Sequence, residues 1–306
     1  MTSPPRHRAM RVNPWSEVST RLNSSRAMTL VIERALTGSR ASSASRFSLA
    51  SRSRARVDHA TRRGRNTSSL PDVDLDALLP PEIDGDLESL QREAGAVFGE
   101  NGYAVRFGDV QDEIEAIKNG AAVVDRSDWG LFRSHGRGAL NALRALAMNG
   151  DEIATLGGAG SGFEIKLEST GESAQVYAQS EGFILIVPPT SADAVADALD
   201  ALAEQQFAEL NDQCAFLTVL GPKIDEFLSK TGLIDVMRQD VGAHQVFGFA
   251  NRPVVAARSS EHGVSAVNLI VDESIAGEVW ATVVRTGVTP CGSDASDAVL
   301  IELGRR

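Results

Sequence analysis

Cysteine is scarce in this 306-residue chain: Cys214 and Cys291 stand far apart and form no C-x-x-C pair. Two such residues cannot build a disulfide framework, and a zinc or iron–sulfur site ordinarily takes four ligands. Both thiols read as small hydrophobes in a reducing compartment. Long apolar runs are missing as well. None approaches the roughly 18 residues that a membrane-spanning helix needs, which gives no reason to expect a membrane partner. Lysine is absent and acids are rare up to Asn66, where 14 Arg face three acids (Glu17, Glu33, Asp58). With 30 basic and 41 acidic residues in the whole chain, the remainder holds 16 bases against 38 acids and is strongly negative. So acidic a body excludes sequence-independent nucleic-acid binding, which needs a basic surface.

Residues 1–70 carry the Arg-rich, Ser-rich, acid-poor profile of an organelle transit peptide, without apolar periodicity to pack. A basic arm that binds nucleic acid is the rival reading of that composition. Residues 71–85, PDVDLDALLPPEIDG, reverse the charge and read as an acidic linker. The folded region is expected over 86–304, in two similar lobes of about 86–210 and 211–304.

Within it, Leu87, Leu90, Ala94 and Val97 recur at helical spacing, with Gly99 and Gly102 as the stop. A strand over Tyr103–Phe107 and a helix over Asp112–Lys118 follow. The helix after Gly136 uses Leu140, Leu143, Leu146 and Ala147, and three strands around Phe163–Leu167, Ala174–Ala178 and Phe183–Val187 form an antiparallel meander. Pro188 and Pro189 close it, and an amphipathic helix opens at Ser191. The second unit reads as a strand Cys214–Leu220, a helix Ile224–Lys230, a hairpin His244–Phe249 and Pro253–Ala257, a strand Val264–Val271 and a helix Ile275–Val284. Gly287–Gly292 is expected to turn before a last helix, Asp294–Leu303.

Three stretches invite chemistry. In GAAVVDRSDWGLFRSHG, Gly120 to Gly136, two strand-like runs meet at the polar turn Asp125-Arg126-Ser127-Asp128. It is either a core corner or an acid and a hydroxyl at a sheet edge. The cluster Gly157, Gly158, Gly160, Gly162 lacks the Lys-Ser/Thr of a phosphate loop and precedes a strand, so it reads as a turn. His244 has no i+4 partner and reads as a structural histidine rather than a metal ligand.

GAAVVDRSDWGLFRSHG, LGPKIDEFL and GVTPCGSDASDAVLIELG follow one another as in the glycine-cleavage T-protein (aminomethyltransferase) superfamily. The resemblance covers about Glu93 to Gly304. AGAVFG and GAHQVFGF make the chain similar to the folate-binding YgfZ/IBA57-like branch, in particular its chloroplast form. The resemblance implies an α+β fold: antiparallel sheets flanked by helices in two related lobes around a folate pocket, here without the family's C-terminal barrel. The chain ends before the point where that branch carries K-G-C-Y-x-G-Q-E, and Cys291 in PCG does not match its thiol. A truncated product, an incomplete gene model or a degenerate paralogue is therefore expected.

Carried over residue by residue, R-S-S-E-H-G places Glu261 and Gly263 in phase with the family's pterin-holding Glu and its Gly; a carboxylate suits the paired N–H groups of an aminopyrimidine edge. A charged hairpin tip is the plain alternative. His262 could touch the folate tail or face solvent. Asp125 is a further candidate folate contact. Glu302 keeps the Glu of the family's terminal L-R-x-E, while Leu300 replaces its Arg. The catalytic carboxylate of G-G-I-x-D-D is missing: Thr170-Gly171-Glu172-Ser173-Ala174-Gln175 has no Asp there, though Glu172 is near. Asp128 and Trp129 replace the usual His and the aromatic-or-Met of VxDxSHxG.

These readings imply a tetrahydrofolate-type cofactor and no metal or cluster held by this chain alone. The expected role is an accessory factor of iron–sulfur cluster assembly or protein maturation in the chloroplast or, alternatively, the mitochondrion. Its partners would be the assembly machinery or client proteins, and aminomethyl transfer is not expected. The alternatives are a folate-dependent one-carbon transferase and an interaction module with an empty pocket.

Overall fold

The computed structural model describes residues 85–202, 206–231, 233–249, 252–261 and 263–303. The transit-peptide and linker segments lie outside them, apart from Gly85, as do His262 and the side chains of Gln206, Ile234, Glu261 and Leu300. The fold is α+β, with two large sheets, chiefly antiparallel, flanked by helices.

Helix α1 (Leu87–Glu93) is capped by Asp86, whose Oδ1 accepts from Ser89 N at 2.7 Å. It ends earlier than its periodicity suggests, because Gly95 takes φ +93° just after the Ala94 cap. Val97 therefore leaves the helix for β1 (Val97–Phe98), which pairs with β2 (Ala104–Arg106). Then come α2 (Val110–Asn119), β3 (Ala122–Asp125), β4 (Gly130–His135) and α3 (Ala139–Leu146). The expected meander is present as β5 (Gly162–Lys166), β6 (Ser173–Gln179) and β7 (Gly182–Val187). Helix α4 (Pro189–Asp200) starts at Pro189 itself, a residue suited to a first helical turn.

Strand β8 (Gln206–Glu209) was not legible in the sequence. It is a four-residue edge strand carrying a charge, held by pairing with β4. The remaining elements are β9 (Cys214–Leu220), α5 (Ile224–Thr231), α6 (Ile234–Met237), β10 (His244–Phe249), β11 (Arg252–Glu261), β12 (Val264–Asp272), α7 (Ala276–Arg285), β13 (Thr289–Cys291) and α8 (Ser293–Glu302). The expected turn over Gly287–Gly292 thus contains a strand, β13, which runs parallel to β3. It is short and holds Pro290, tolerable at a sheet edge, so no local pattern marked it.

One sheet has the order β5-β6-β7-β4-β8, the other β10-β11-β12-β9-β3-β13. A division near residue 210 does not separate them, because β3 from the first half lies between β9 and β13. The corner at Asp125–Asp128 is where the chain leaves one sheet for the other. Each sheet covers its outer face with helices: α3 and α4 pack on Phe132, Val176 and Leu185, while α1, α5, α6 and α7 pack on Val123, Leu217 and Leu269. The inner faces meet through Leu131, Tyr177, Ile184 and Ile186 against Phe216, Val255, Ala257 and Ile270. On the β3 side, α2 and α8 cover the rest of the larger sheet's inner face, around Ala122, Val124, Leu220 and Ala266.

Candidate functional site between the sheets

Strand β6 alternates. Ala174 and Val176 enter the outer core, so Gln175, Tyr177 and Gln179 point the other way, toward the second sheet. That puts polar groups into an apolar seam, where an unpaired amide costs about 1–3 kcal/mol. Asn268 of β12 and Thr218 of β9, both buried, answer them from the other side. Asn268 Nδ2 donates to Gln175 Oε1 at 2.9 Å and to Tyr177 OH at 3.1 Å, and its Oδ1 accepts from Thr218 Oγ1 at 3.0 Å. Tyr177 OH donates to Gln175 Oε1 at 2.6 Å, and Gln175 Nε2 reaches Ser259 Oγ of β11 at 3.4 Å. Gln175 is only half-buried and forms the solvent-side end of this row.

His244 extends the row. Its Nε2 lies 3.0 Å from Gln179 Nε2, and its ring is tilted against Tyr177 at 5.2 Å. Burial lowers its pKa, partly offset by the backbone of Gly242 and Ala178, so the imidazole is uncharged at neutral pH. The network is therefore made of amides, hydroxyls and a neutral ring. A sequence signal for it existed in the off-phase polar residues of otherwise apolar strands, such as Thr218 in CAFLTVL and Asn268 in VSAVNLIVD.

The β11–β12 hairpin tip begins two residues beyond Ser259. Glu261 pairs through its backbone with Val264, and Gly263 takes φ +81° in the turn between them. The hairpin-tip placement of Glu261 is thus observed, while its side chain lies outside the described residues.

Asp125 does not share this place. Its register partners run through Leu217 and Leu269 to Ala256, three strands across and five residues short of Glu261. At ~4.8 Å per strand and ~3.3 Å per residue the separation is roughly 20 Å. Both of its oxygens are engaged: Oδ2 accepts from Gln91 Nε2 at 2.8 Å, and Oδ1 accepts from the N and Oγ of Ser127 at 3.0 and 2.7 Å. Asp125 is a buried strut of the corner. Glu302, at the hairpin's end of the sheet, is exposed and ion-paired with Lys118. Glu172, the carboxylate nearest the family's missing Asp, accepts from Thr190 Oγ1 at 2.6 Å and from Ser191 Oγ; it belongs to the start of α4 and not to the network.

The corner gathers acids instead. Burial, then the charge of Asp125, pushes Asp128 up to about 6, and burial followed by Asp125 also raises Glu273 and Tyr103. Arg126 donates to Ser296 Oγ at 2.8 Å and lies 4.9 Å over the Trp129 ring. Among the described residues, no group of three or more His, Cys, Asp or Glu is placed to hold a metal ion. Both cysteines are buried, and burial pushes each thiol up to about 12. An apolar cavity of about 50 Å³ lies behind the larger sheet, lined by Phe227, Phe247, Phe249, Leu269 and Val283. It is on the outer face of that sheet, away from the network.

Residues 87–306 match the GCVT N-terminal domain family. The chain is 25% identical over 231 residues to "Putative transferase At1g60990, chloroplastic" of Arabidopsis thaliana, covering 74% of this chain and 54% of that one. It is 28% identical over 217 residues to the aminomethyltransferase of Deinococcus deserti, covering 68% of this chain and 59% of that one. The crystal structure of glycine cleavage system aminomethyltransferase T from Bartonella henselae superposes with a TM-score of 0.59 at 20% identity, over 71% of this chain and 61% of that one, which shows a shared fold. The chain thus spans little more than half of the length of these relatives. By the family match over most of its length, it belongs to the GCVT N-terminal domain family, within the aminomethyltransferase (T-protein) superfamily.

Proposed function

We propose that this protein binds a tetrahydrofolate-type ligand at the seam where β6 meets the β11–β12 hairpin, and that it does so without aminomethyl transfer. One observation carries the reading. The two turns that resemble the family's pterin-holding and carboxylate motifs come together across the sheets, through Gln175 Nε2 and Ser259 Oγ at 3.4 Å. The contact is long, so a ligand edge could replace it and meet one amide donor and one hydroxyl. The donor set suits the hydrogen-bonding edge of a pterin. Glu261, at the adjoining tip, would hold the aminopyrimidine N–H groups. Folate supplies a one-carbon carrier when bound; transfer from an aminomethyl donor further needs an anion beside the reacting nitrogens. Gln175 offers a neutral amide, and Glu172 is committed to α4.

Titration of the purified protein with tetrahydrofolate, followed by calorimetry, should give micromolar or weaker binding. Glu261→Gln should weaken it by about tenfold, on the order of 1.4 kcal/mol. Unchanged affinity in that variant would remove the pterin role from Glu261. Incubation with an aminomethyl donor and folate should release no one-carbon product, and measurable release would establish the transferase reading instead.

The biological setting we propose is assistance to iron–sulfur protein maturation in a chloroplast, with the assembly machinery or client proteins as partners. AGAVFG and GAHQVFGF, which resemble the YgfZ/IBA57-like branch, and the chloroplastic name of one relative support it. Loss of the protein should lower the activity of organellar iron–sulfur enzymes while leaving cluster-free enzymes of the same compartment unchanged. Equal effects on both classes would sink this assignment.

A further inference from the structure

We infer that the acidic segment just ahead of the fold, residues 73–79, straps the outer face of the larger sheet, with Leu75, Leu78 and Leu79 covering the apolar groove that α5, α7 and β10 leave open. Groove and folate seam lie on opposite faces of that sheet, so neither depends on the other.

The groove suits an apolar side chain. Its walls are Phe227 and Thr231 of α5, Thr282 and Val283 of α7, and Phe247 and Phe249 of β10. Phe247 and Phe249 are only half-buried, although both face the outer core. The volume of about 50 Å³ takes roughly four water-sized groups, at ~10–15 Å³ each, which matches the four carbons of one leucine side chain. Water there would meet few polar partners, so an apolar occupant is favoured. The adjoining strand edge is open as well. β10 ends its sheet, and His244 N donates away from β11, to Gly160 O. Bonded and non-bonded pairs alternate along an antiparallel ladder, so Val246 and Gly248 also turn their N–H and C=O groups outward, where no described residue takes them. A covering segment protects such an edge from pairing with other chains.

The chain itself supplies the occupant. Residues 71–85, PDVDLDALLPPEIDG, set Val73, Leu75, Leu78, Leu79 and Ile83 among five acids and no base. The end of this stretch is fixed on α7, where Gly85 O lies so close to Gly277 that a Cβ on Gly277 would stand 2.5 Å from it. Gly277 and Trp280, the latter stacked on Phe107, face one flank of α7, while Thr282 and Val283 line the groove on the other. The way across is about one helix diameter, ~10 Å, and two strand spacings of ~4.8 Å. Leu79 stands six residues before Gly85 and Leu75 ten, which gives extended reaches of about 20 and 33 Å. Pro80 and Pro81 favour an extended crossing. Along it, Lys230, whose Nζ donates to Thr286 O, and Arg285 are exposed at the end of α7. Arg252 is exposed at the start of β11, though Asp272 pairs with it, and Glu226 of α5 is a further acid on this side. Charge therefore assists, and burial of the leucines holds the segment.

Cysteine pairs in the full chain test this. Cys214 and Cys291 are buried, so introduced thiols report alone. Leu75→Cys, Leu78→Cys and Leu79→Cys are each combined with Thr282→Cys in the groove wall, and, as a control, with Glu181→Cys on the smaller sheet. Under mild oxidation at least one pair with Thr282→Cys should close within a single chain about tenfold faster than its control. In parallel, Leu75→Ser, Leu78→Ser and Leu79→Ser together, in an otherwise wild-type chain, should speed hydrogen exchange over residues 246–249 by about tenfold. Those substitutions precede the fold and leave its core intact, so this comparison decides even where Thr282→Cys does not fold. Cross-links between two chains would give the groove to a second copy and overturn the inference. Pairs that close no faster than their controls would leave the groove to an apolar segment of another protein and overturn it too. Unchanged exchange in the triple variant overturns it whatever the cross-links show.

Discussion

Asp128 is held at about 6, against an ordinary value of 3.8, because the corner buries it beside Asp125. The sign of its effect follows. Ionising Asp128 is harder in the folded chain than in the unfolded one, so its penalty is absent below about 3.8, grows between there and about 6, and is complete above. Asp128→Asn should therefore raise the melting temperature well above pH 6 and leave it unchanged near pH 3.8. Because the group is partly solvated, the gain is about 1 kcal/mol at most. A melting temperature that shifts equally at both ends of that range would point to packing rather than charge. The cysteines give a second expectation. With thiols pushed up to about 12 and buried, neither Cys214 nor Cys291 should react with a thiol reagent in the native protein, and both should react in denaturant. One thiol titrating in the native state would show an open route that the fold does not contain.

At the scale of elements, backbone groups from distant turns are tied by single side chains. Glu113 of α2 is buried, and its Oε1 accepts from the backbone N of Phe107 and Gly108 at 2.6 and 2.8 Å. Its Oε2 accepts from Gly292 N at 2.7 Å, so one carboxylate fixes the approaches to α2 and α8. Only glycine fits at Gly292, since a Cβ there would stand 2.1 Å from the Val105 carbonyl. Glu113→Ala would strand three backbone donors, of which Gly292 N is buried, and should cost roughly 2 kcal/mol, while Glu113→Gln, which keeps one acceptor, should cost less. Denaturant melts check both, and equal losses would mean that the cost lies in packing. The glycine cluster is explained at the same scale. Gly162 and Gly242 meet backbone to backbone, a Cβ on either coming within 2.4 Å of the other's carbonyl oxygen, and His244 N donates to Gly160 O at 2.8 Å. The glycines close the two sheets together rather than cradle a phosphate.

At the scale of the whole molecule, strand β3 decides what is separable. It completes the larger sheet between β9 and β13, although it precedes the entire smaller sheet in the chain. A fragment of residues 211–306 would lose β3, α2 and the inner faces of β4, β6 and β7, leaving the buried β9 as an open edge. Such a fragment should be unfolded or aggregated by circular dichroism and gel filtration, whereas residues 85–306 should unfold in one cooperative transition. A soluble fragment with native-like far-ultraviolet signal would restore the division into two chain-contiguous lobes.

Much of this was legible in advance. Alternation placed β5 and β6, a continuous apolar run placed β7, helical spacing placed α3 and α5, and the ordered motifs placed the chain in its superfamily, because side-chain period is a local property. The sequence by itself determined most of the strands and helices and which turns need glycine. It also determined that the turn resembling the family's catalytic one, residues 170–175, holds Glu172 but no Asp. Pairing decided the rest. β8 and β13 are too short and too polar or proline-bearing to be strands except beside β4 and β3. Asp125 and Glu302 carry carboxylates as a site would need. Only the fold shows that one braces a corner against Gln91 and Ser127 while the other is paired with Lys118. Gln175, Ser259 and Asn268 are spread over more than 90 residues, and nothing in their spacing joins them. The seam between two twisted sheets does, since a buried amide there is stable only where another strand supplies its partners.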